Sequence, residues 1–249
     1  MNERTPSALV IAATLGLSLV SVGCGEAATD DDTNEDERCN SEFNGPIEPS
    51  ALIDDLEDGD GQIAQIGERN GSWWVTTDNT EGIITPEADA APPAERILGK
   101  RCDSEFGMHL TGADFSDWGA VLSVGMRYTN KEEAVDLSDY KGVMLWARVG
   151  ETQSSNVRIQ FQDSTTHKEG GLCKDESGLE DSCWDGWGSD IAPIGTEWQL
   201  YKFSFDDMKQ RDFGLQGDEL DVENVYTIDF ILDANAVFDV WLDDIWLFD

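Results

Sequence analysis

The sequence predicts an all-β fold, a two-sheet antiparallel β-sandwich, on three observations. Apolar and polar residues alternate at period two over most of the chain after residue 100. That is the pattern of strands with one face on a core and one in water. No segment carries a sustained 3.6-residue apolar stripe, and "FDDMKQRDFG" has room for one short helical turn. Glycine-rich and Asp/Asn-rich breaks separate the runs, as the connections of a sandwich require.

The 249 residues divide into three parts. Residues 1–23 begin with the polar "MNERTPS", continue through the apolar run "ALVIAATLGLSLV" and end in "SVG". The run is short for a bilayer span and suits a secretory signal. With the next residue, "SVGC" resembles the lipobox of bacterial lipoproteins, in which the cysteine is diacylated and becomes the mature N-terminus. Here that residue is Cys24, and Ser21 departs from the leucine usual three positions earlier. The resemblance implies a lipid-anchored protein of the bacterial cell envelope. Gly25, in place of the aspartate that retains some lipoproteins at the inner membrane, points to the outer one. Residues 24–46 include "GEAATDDDTNEDERCNSEFN", whose dense acids and scarce apolar residues predict a flexible, solvated tether. Residues 47–249 suit one large β-domain rather than two small ones.

Without Cys24 four cysteines remain: Cys39, Cys102, Cys173 and Cys183. An even count in an exported chain suggests two disulfides, for which three connectivities exist. Cys173 with Cys183 would close "CKDESGLEDSC", and Cys39 with Cys102 is the favoured companion. Zinc is disfavoured, since the chain lacks Cys-x-x-Cys spacing and has only two histidines.

In order along the domain, the acidic stretch "ALIDDLEDGDGQIAQIGERNGSWW" comes first. There Ile53, Asp55 and Glu57 alternate with Leu52, Asp54 and Leu56. Trp73, Trp74 and Trp118 follow glycine or acidic turns and read as core. "PEADAAPPAERILGKRC", with three of the seven prolines, reads as a long loop. "EFGMHL" sets Phe106, Met108 and Leu110 on one face. "AVLSVGMR" sets Ala120, Leu122, Val124 and Met126 inward, with Ser123, Gly125 and Arg127 outward. "VRIQFQ" sets Val157, Ile159 and Phe161 against Arg158, Gln160 and Gln162. "WQLYKFSF" aligns Tyr201, Phe203 and Phe205, with Trp198 structural at its start; "VYTIDFIL" aligns Tyr226, Ile228, Phe230 and Leu232. "GVMLWARV" and "VFDVWLDDIWLF" are apolar on both faces and belong in the middle of a sheet. Strict alternation in the last of these groups Asp244 with Leu242, Trp246 and Phe248, and Asp243 with Trp241 and Ile245.

The chain has 52 acidic and 16 basic side chains, a formal charge of −36. Phosphates would be repelled, which excludes nucleic acid. Anionic bilayers are disfavoured as docking surfaces, leaving the lipid anchor as the membrane attachment. Uncharged partners and divalent cations remain. A buried, unpaired carboxylate takes up a proton or finds a cation. Acids lie on both the opening and the closing strand, and paired strands could gather three or four carboxylates. Calcium takes six to eight hard oxygens at about 2.3–2.6 Å, which such a cluster with loop carbonyls could supply. The alternative is that the same acids take backbone or arginine hydrogen bonds, with no metal.

The pieces "LIDDLEDGD…NGSWWVTTDNTEG", "DWGAVLSVGM", "DLSDYKGVMLWARV", "VRIQFQD", the cysteine-bounded loop, "EWQLYKFSFDDM" and "VFDVWLDDIWLF", in that order, resemble the jelly-roll carbohydrate-binding modules. The nearest resemblance is to family eleven, in the galactose-binding-like superfamily, and it runs from Leu52 to Phe248. It implies a jelly roll with a structural calcium held by acids of the first and last strands. By that resemblance Glu57 and Asp244 are the leading ligands, with Asp55 and Asp243 second. It also implies sugar binding on a concave sheet, where flat aromatics stack on C–H faces and planar polar groups meet hydroxyls. The outward Arg158, Gln160 and Gln162 suit that task, as do Arg127, Trp146, Arg148 and Asp229. The loop aromatics Trp184 and Trp187 would add stacking surface.

No Gly-x-Ser-x-Gly elbow, P-loop or His-Glu-x-x-His occurs. His109, outward on its strand, and His167, in "DSTTHKEGG", read as solvated. The acids concentrate in the tether, loops and strand edges, so a hydrolytic carboxylate pair is the least favoured reading. The expectation is a monomeric, non-catalytic binder of a glucan-like polysaccharide or oligosaccharide. The rival is a surface scaffold or adhesion module that binds protein, which a broad apolar patch would mark.

Overall fold

The computed structural model describes residues 48–88, 92–150, 156–175, 182–191 and 193–249, with backbone alone at 98–100. The expected signal (1–23), Cys24, the tether (24–46) and Cys39 lie outside the described residues. In chain order the strands are β1 (Leu52–Asp54), β2 (Trp73–Thr77), β3 (Ile83–Thr85), β4 (Glu95–Arg101), β5 (Ser104–Ala113), β6 (Ala120–Gly125) and β7 (Arg127–Tyr128). There follow β8 (Glu132–Glu133), β9 (Gly142–Val149), β10 (Val157–Gln162), β11 (Trp187–Ile191), β12 (Gln199–Ser204), β13 (Thr227–Leu232) and β14 (Phe238–Phe248). Among the described residues there is no α-helix, only three single 3-10 turns, and no helix long and apolar enough to cross a membrane.

The strands form the expected sandwich. One sheet has seven strands, in the order β12-β9-β14-β5-β3, with β1 added on β14 and β4 on β5. The other has five, in the order β11-β10-β13-β6-β2. Every pairing is antiparallel, and β7 and β8 make a separate small ribbon. The core lies between the sheets. Met108, Leu110, Val143, Leu145, Val240 and Leu242 meet Trp73, Leu122, Val124, Ile159, Phe161 and Phe230, all at most 3% exposed. The two strands apolar on both faces, β9 and β14, sit side by side inside the larger sheet, because only an interior strand covered on both faces can hide both sets of side chains.

Two expectations change. The proline-rich loop ends early. Its prolines stop at Pro93, and Glu95–Arg101 is strand β4, paired to β5 with Ile97 turned into the protein. Strict alternation also fails in β14. Between Asp243 and Trp246 that strand takes three steps while β9 takes two, from Trp146 to Met144. This is a β-bulge, with Asp244 in the left-handed region at φ 45°. The extra residue resets the phase, so Leu242, Ile245 and Leu247 all reach the core at 1% exposure or less. Asp243 is left on the outer face beside Trp241.

β1 itself carries an acid into the core. Asp54 is 2% exposed and accepts from the Trp73 indole Nε1 at 2.7 Å and the Leu56 N–H at 3.0 Å. Burial outweighs these bonds and pushes its carboxyl up to about 7 from 3.8. Across pH 4–7 the folded chain therefore holds a proton that the unfolded chain has released, so stability falls as pH rises through that window. Far from β1, Cys173 and Cys183 form the expected local disulfide across a sequence separation of 10. Cys102 is also disulfide-bonded.

Two outcomes follow. The melting temperature should fall between about pH 4 and pH 7, and fall less in Asp54→Asn, by calorimetry at constant ionic strength. The repulsion within this acidic chain acts in the same direction, so the variant isolates the carboxyl. In urea titrations, replacing Cys173 and Cys183 with serine should lower the unfolding free energy by about 3 kcal/mol, the entropy of so short a closed loop.

Candidate functional site

The outer face of the five-stranded sheet carries an ordered polar row, and register alone explains it. Gln160 on β10 sits opposite Asp229 on β13, Asp229 opposite Ser123 on β6, and Ser123 opposite Trp74 on β2. In the next row Gln162 faces Thr227, which faces Gly125. The alternation that sends Ile159, Phe161, Ile228 and Phe230 inward sends these outward. Asp229 is the hub. It accepts from Ser123 Oγ at 2.8 Å, Gln162 Nε2 at 3.0 Å and Gln160 Nε2 at 3.4 Å. It is only 6% exposed, and burial raises its carboxyl above the usual range.

The covering comes from the loop beside the disulfide. Both glutamines donate Nε2 to the Trp184 carbonyl at 3.2 Å. Gly186 lies so close that a Cβ there would stand 2.8 Å from the Phe161 carbonyl and 3.0 Å from each glutamine head group. Asp185, 1% exposed, pins this loop to the next by accepting from the N–H groups of Arg211, Phe213 and Gly214 and from Gln216 Nε2. Arg158 lies under the same cover, donating to the Lys209 carbonyl and 3.6 Å from Asp190. Burial lowers its pKa from the arginine norm. On this floor Gln162 Oε1 and Arg158 Nε are buried without a protein partner.

At the Trp74 end the face opens. Trp74 is half-buried, its ring laid against Gly125, and beside it is a cleft of about 370 Å³. Tyr128, Arg127, Lys131, Glu132 and Lys168 line the rest of it. Tyr128 is 55% exposed, and Arg127 is held by Glu68 and Glu133, each at 3.1 Å. Lys168 continues across to the covering loop, its Nζ 5.7 Å from the Trp184 ring. The geometry offers a half-open aromatic ring, amide and carboxylate groups in fixed rows, and a charged rim.

The nine expected binding residues do not make one site. Arg158, Gln160, Gln162, Asp229 and Trp184 gather on this face, with Arg127 at its rim. Trp187 is not a platform. It pairs with Phe161, so it shares that residue's inward direction and is 7% exposed within the core. Trp146 and Arg148 lie on β9, in the other sheet. There Arg148 packs between Trp198 and Trp241 at 5.3 and 5.2 Å, Arg101 between Trp146 and Trp198 at 5.1 and 5.9 Å, and His109 stacks on Trp241 at 3.9 Å. Alternation tells which side of a strand a residue takes, not which sheet the strand joins.

Four more aromatic or histidine readings change. Trp74 stands on the outer face rather than in the core, and Trp118 is 44% exposed. His109 is not simply solvated, since it bonds Glu95 and Asp239 at 3.0 and 2.8 Å. His167 is 1% exposed, stacked on Tyr226 at 4.6 Å and 3.3 Å from Glu132. A histidine in a polar loop gives no local sign that two aromatics will close over it.

Acids just after the first strand and in the last strand do converge. Asp243 Oδ2 and Glu57 Oε1 flank the Ser104 hydroxyl at 2.7 and 2.8 Å. The cation among them is a guanidinium: Arg101 donates Nε to Asp243 at 2.7 Å and Nη2 to Asp244 at 2.5 Å. Among the described residues no three or more acids, histidines or cysteines are grouped to hold a metal. Of the expected calcium set, Asp243 and Asp244 meet Arg101, Glu57 meets Ser104, and Asp55 accepts from the Glu57 N–H at 3.3 Å.

Comparison with known proteins places this arrangement. The family model for carbohydrate binding domain 30 matches residues 104–249, more than half of the chain. A crystal structure of a family 30 carbohydrate-binding module superposes with a TM-score of 0.50 at 18% identity, covering 76% of this chain and 88% of that one. The family 11 module of the cellulosomal cellulase Lic26A-Cel5E of Clostridium thermocellum gives 0.48 at 14% identity, covering 79% and 92%. A family 11 module of the same organism, in complex with a β-1,3-1,4-mixed-linked tetrasaccharide, gives 0.47 at 14%, covering 76% and 95%. No curated protein matches in sequence. The resemblance read from the residues was to family eleven; the model that matches is of family thirty, and the jelly-roll carbohydrate-binding module stands. With two antiparallel sheets, and β5 through β14 all inside the matched span, the chain belongs to the carbohydrate binding domain 30 family.

Proposed function

We propose that this protein holds a glucan-like polysaccharide without cleaving it, at the open end of the outer face of the five-stranded sheet, in the cleft beside Trp74. Family membership makes it a non-catalytic carbohydrate-binding protein. The observation that carries the finer reading is the half-open Trp74 indole beside a cleft lined by Tyr128, Arg127, Lys131 and Lys168, at the open end of the row Gln160, Asp229, Ser123 and Trp74. A sugar chain presents apolar faces and hydroxyl edges at the same repeat, so an open indole beside polar and charged side chains can meet both. The Trp74 cleft is where a ring would dock. Its uncharged ligand suits a chain of net charge −36, which repels anionic polymers.

The protein acts in this reading as a monomer on the cell surface, tied through Cys24 to the outer membrane of a bacterium. Support for the anchor comes from "SVGC" following a secretory run.

Affinity electrophoresis of the purified chain through gels containing different glucans tests the ligand. Retardation in at least one glucan is expected, with Trp74→Ala losing most of it through the lost stacking surface, about tenfold in affinity. Unchanged mobility in every glucan would overturn the reading. The anchor is tested separately by metabolic labelling with palmitate, which should mark the chain and vanish in Cys24→Ala.

A further inference from the structure

Asp243 has no exposed side-chain surface and Asp244 is 20% exposed at the side chain. Two adjacent carboxylates so placed need a cation, because each costs several kcal/mol to desolvate alone. Among the described residues Arg101 is the cation that meets them. Its guanidinium is itself 3% exposed and uses two different edges, Nε toward Asp243 and Nη2 toward Asp244. The Trp146 and Trp198 rings, 5.1 and 5.9 Å from its centre, close the remaining sides.

Each of the four carboxylates that a calcium ion would take already has an oxygen engaged. Asp243 Oδ2 accepts from Arg101 and lies 2.7 Å from Ser104 Oγ, while Asp243 Oδ1 accepts from the Asp244 N–H at 2.8 Å. Glu57 Oε1 accepts from the N–H groups of Glu105 and Phe106 at 2.9 and 3.1 Å. Asp55 Oδ1 accepts from the Glu57 N–H at 3.3 Å. A calcium ion here would have to expel a buried guanidinium and break this set to collect six to eight oxygens.

The hairpin explains how the arginine arrives. Arg101 pairs with Ser104 across the tight turn between β4 and β5. Cys102 in that turn is in the left-handed region at φ 54° and is disulfide-bonded. One turn thus delivers both the guanidinium and the hydroxyl to the bulge of β14.

We propose that Arg101 is a covalently held counter-cation that fastens the β4–β5 hairpin to the closing strand in the place of calcium, so that this joint is indifferent to the free ion. The test is thermal melting of the purified chain in excess chelator and in millimolar calcium, with bound metal measured by plasma mass spectrometry. Melting unchanged by either addition and no stoichiometric calcium are expected. Arg101→Met should lower the melting temperature by about 10 °C, since it strands two carboxylates without a partner. Adding Asp243→Asn and Asp244→Asn to that variant should restore part of the loss. Should Arg101→Met fail to fold, the chelator and metal measurements on the unaltered chain decide alone. A stoichiometric calcium whose removal lowers the melting temperature would overturn the proposal, as would an Arg101→Met chain that melts like the unaltered one.

Discussion

The closing strand is bonded on both edges, to β9 along one and to β5 and β1 along the other, so each of its side chains must face either the core or the sheet's outer surface. It nonetheless carries two consecutive acids. Regular alternation would drive one of them between the sheets, into the apolar core that holds Met108 and Leu145. The bulge at Asp244 removes that conflict. It keeps Leu242, Ile245 and Leu247 inside and turns the carboxylates toward the β4–β5 hairpin, where Arg101 and Ser104 meet them. A backbone irregularity and an ion pair from more than a hundred residues away thus answer one electrostatic demand.

The opposite sheet answers a different demand in a related way. Gln160, Gln162, Arg158 and Asp229 all point away from the core, yet each is at most 6% exposed. The two amide Nε2 groups meet Asp229 and the Trp184 carbonyl, next to the Cys173–Cys183 bridge, and Arg158 donates to the Lys209 carbonyl. A polar floor fixed before any ligand arrives loses little side-chain freedom on binding. The cost is that most of its hydrogen-bonding capacity is already spoken for, which leaves Trp74 and the adjoining cleft as the freely presented part of the face.

Much of this architecture was legible from local pattern. The half-buried strands β5, β6, β10 and β13 alternate cleanly, and β9 and β14 declare themselves central by being apolar on both sides. β4 was hidden because prolines immediately before it mask a short strand with only Ile97 as a plain inward signal. The site was half legible. Facing direction identified Arg158, Gln160, Gln162 and Asp229, but nothing local separates them from Trp146 and Arg148, which point outward from the other sheet. Trp187 misleads for a related reason. A tryptophan beside cysteine, aspartate and glycine reads as loop surface until its pairing with Phe161 turns it inward. The convergence of acids from the two ends of the domain was readable, whereas the guanidinium among them was not. Its partners lie 142 and 143 positions along the chain, and it follows a proline-rich segment that promises no order.

The contact between Trp74 and Gly125 bears on how such a face could be retuned. A methyl group on residue 125 would stand 2.8 Å from the indole Cζ3, inside any tolerable approach. The tilt of the aromatic plane is therefore governed from the neighbouring strand, by a missing atom, and not by the tryptophan's own surroundings. Even the smallest side chain there would lift the ring off the sheet and change the angle at which a pyranose could lie against it, with every hydrogen-bonding residue left as it was.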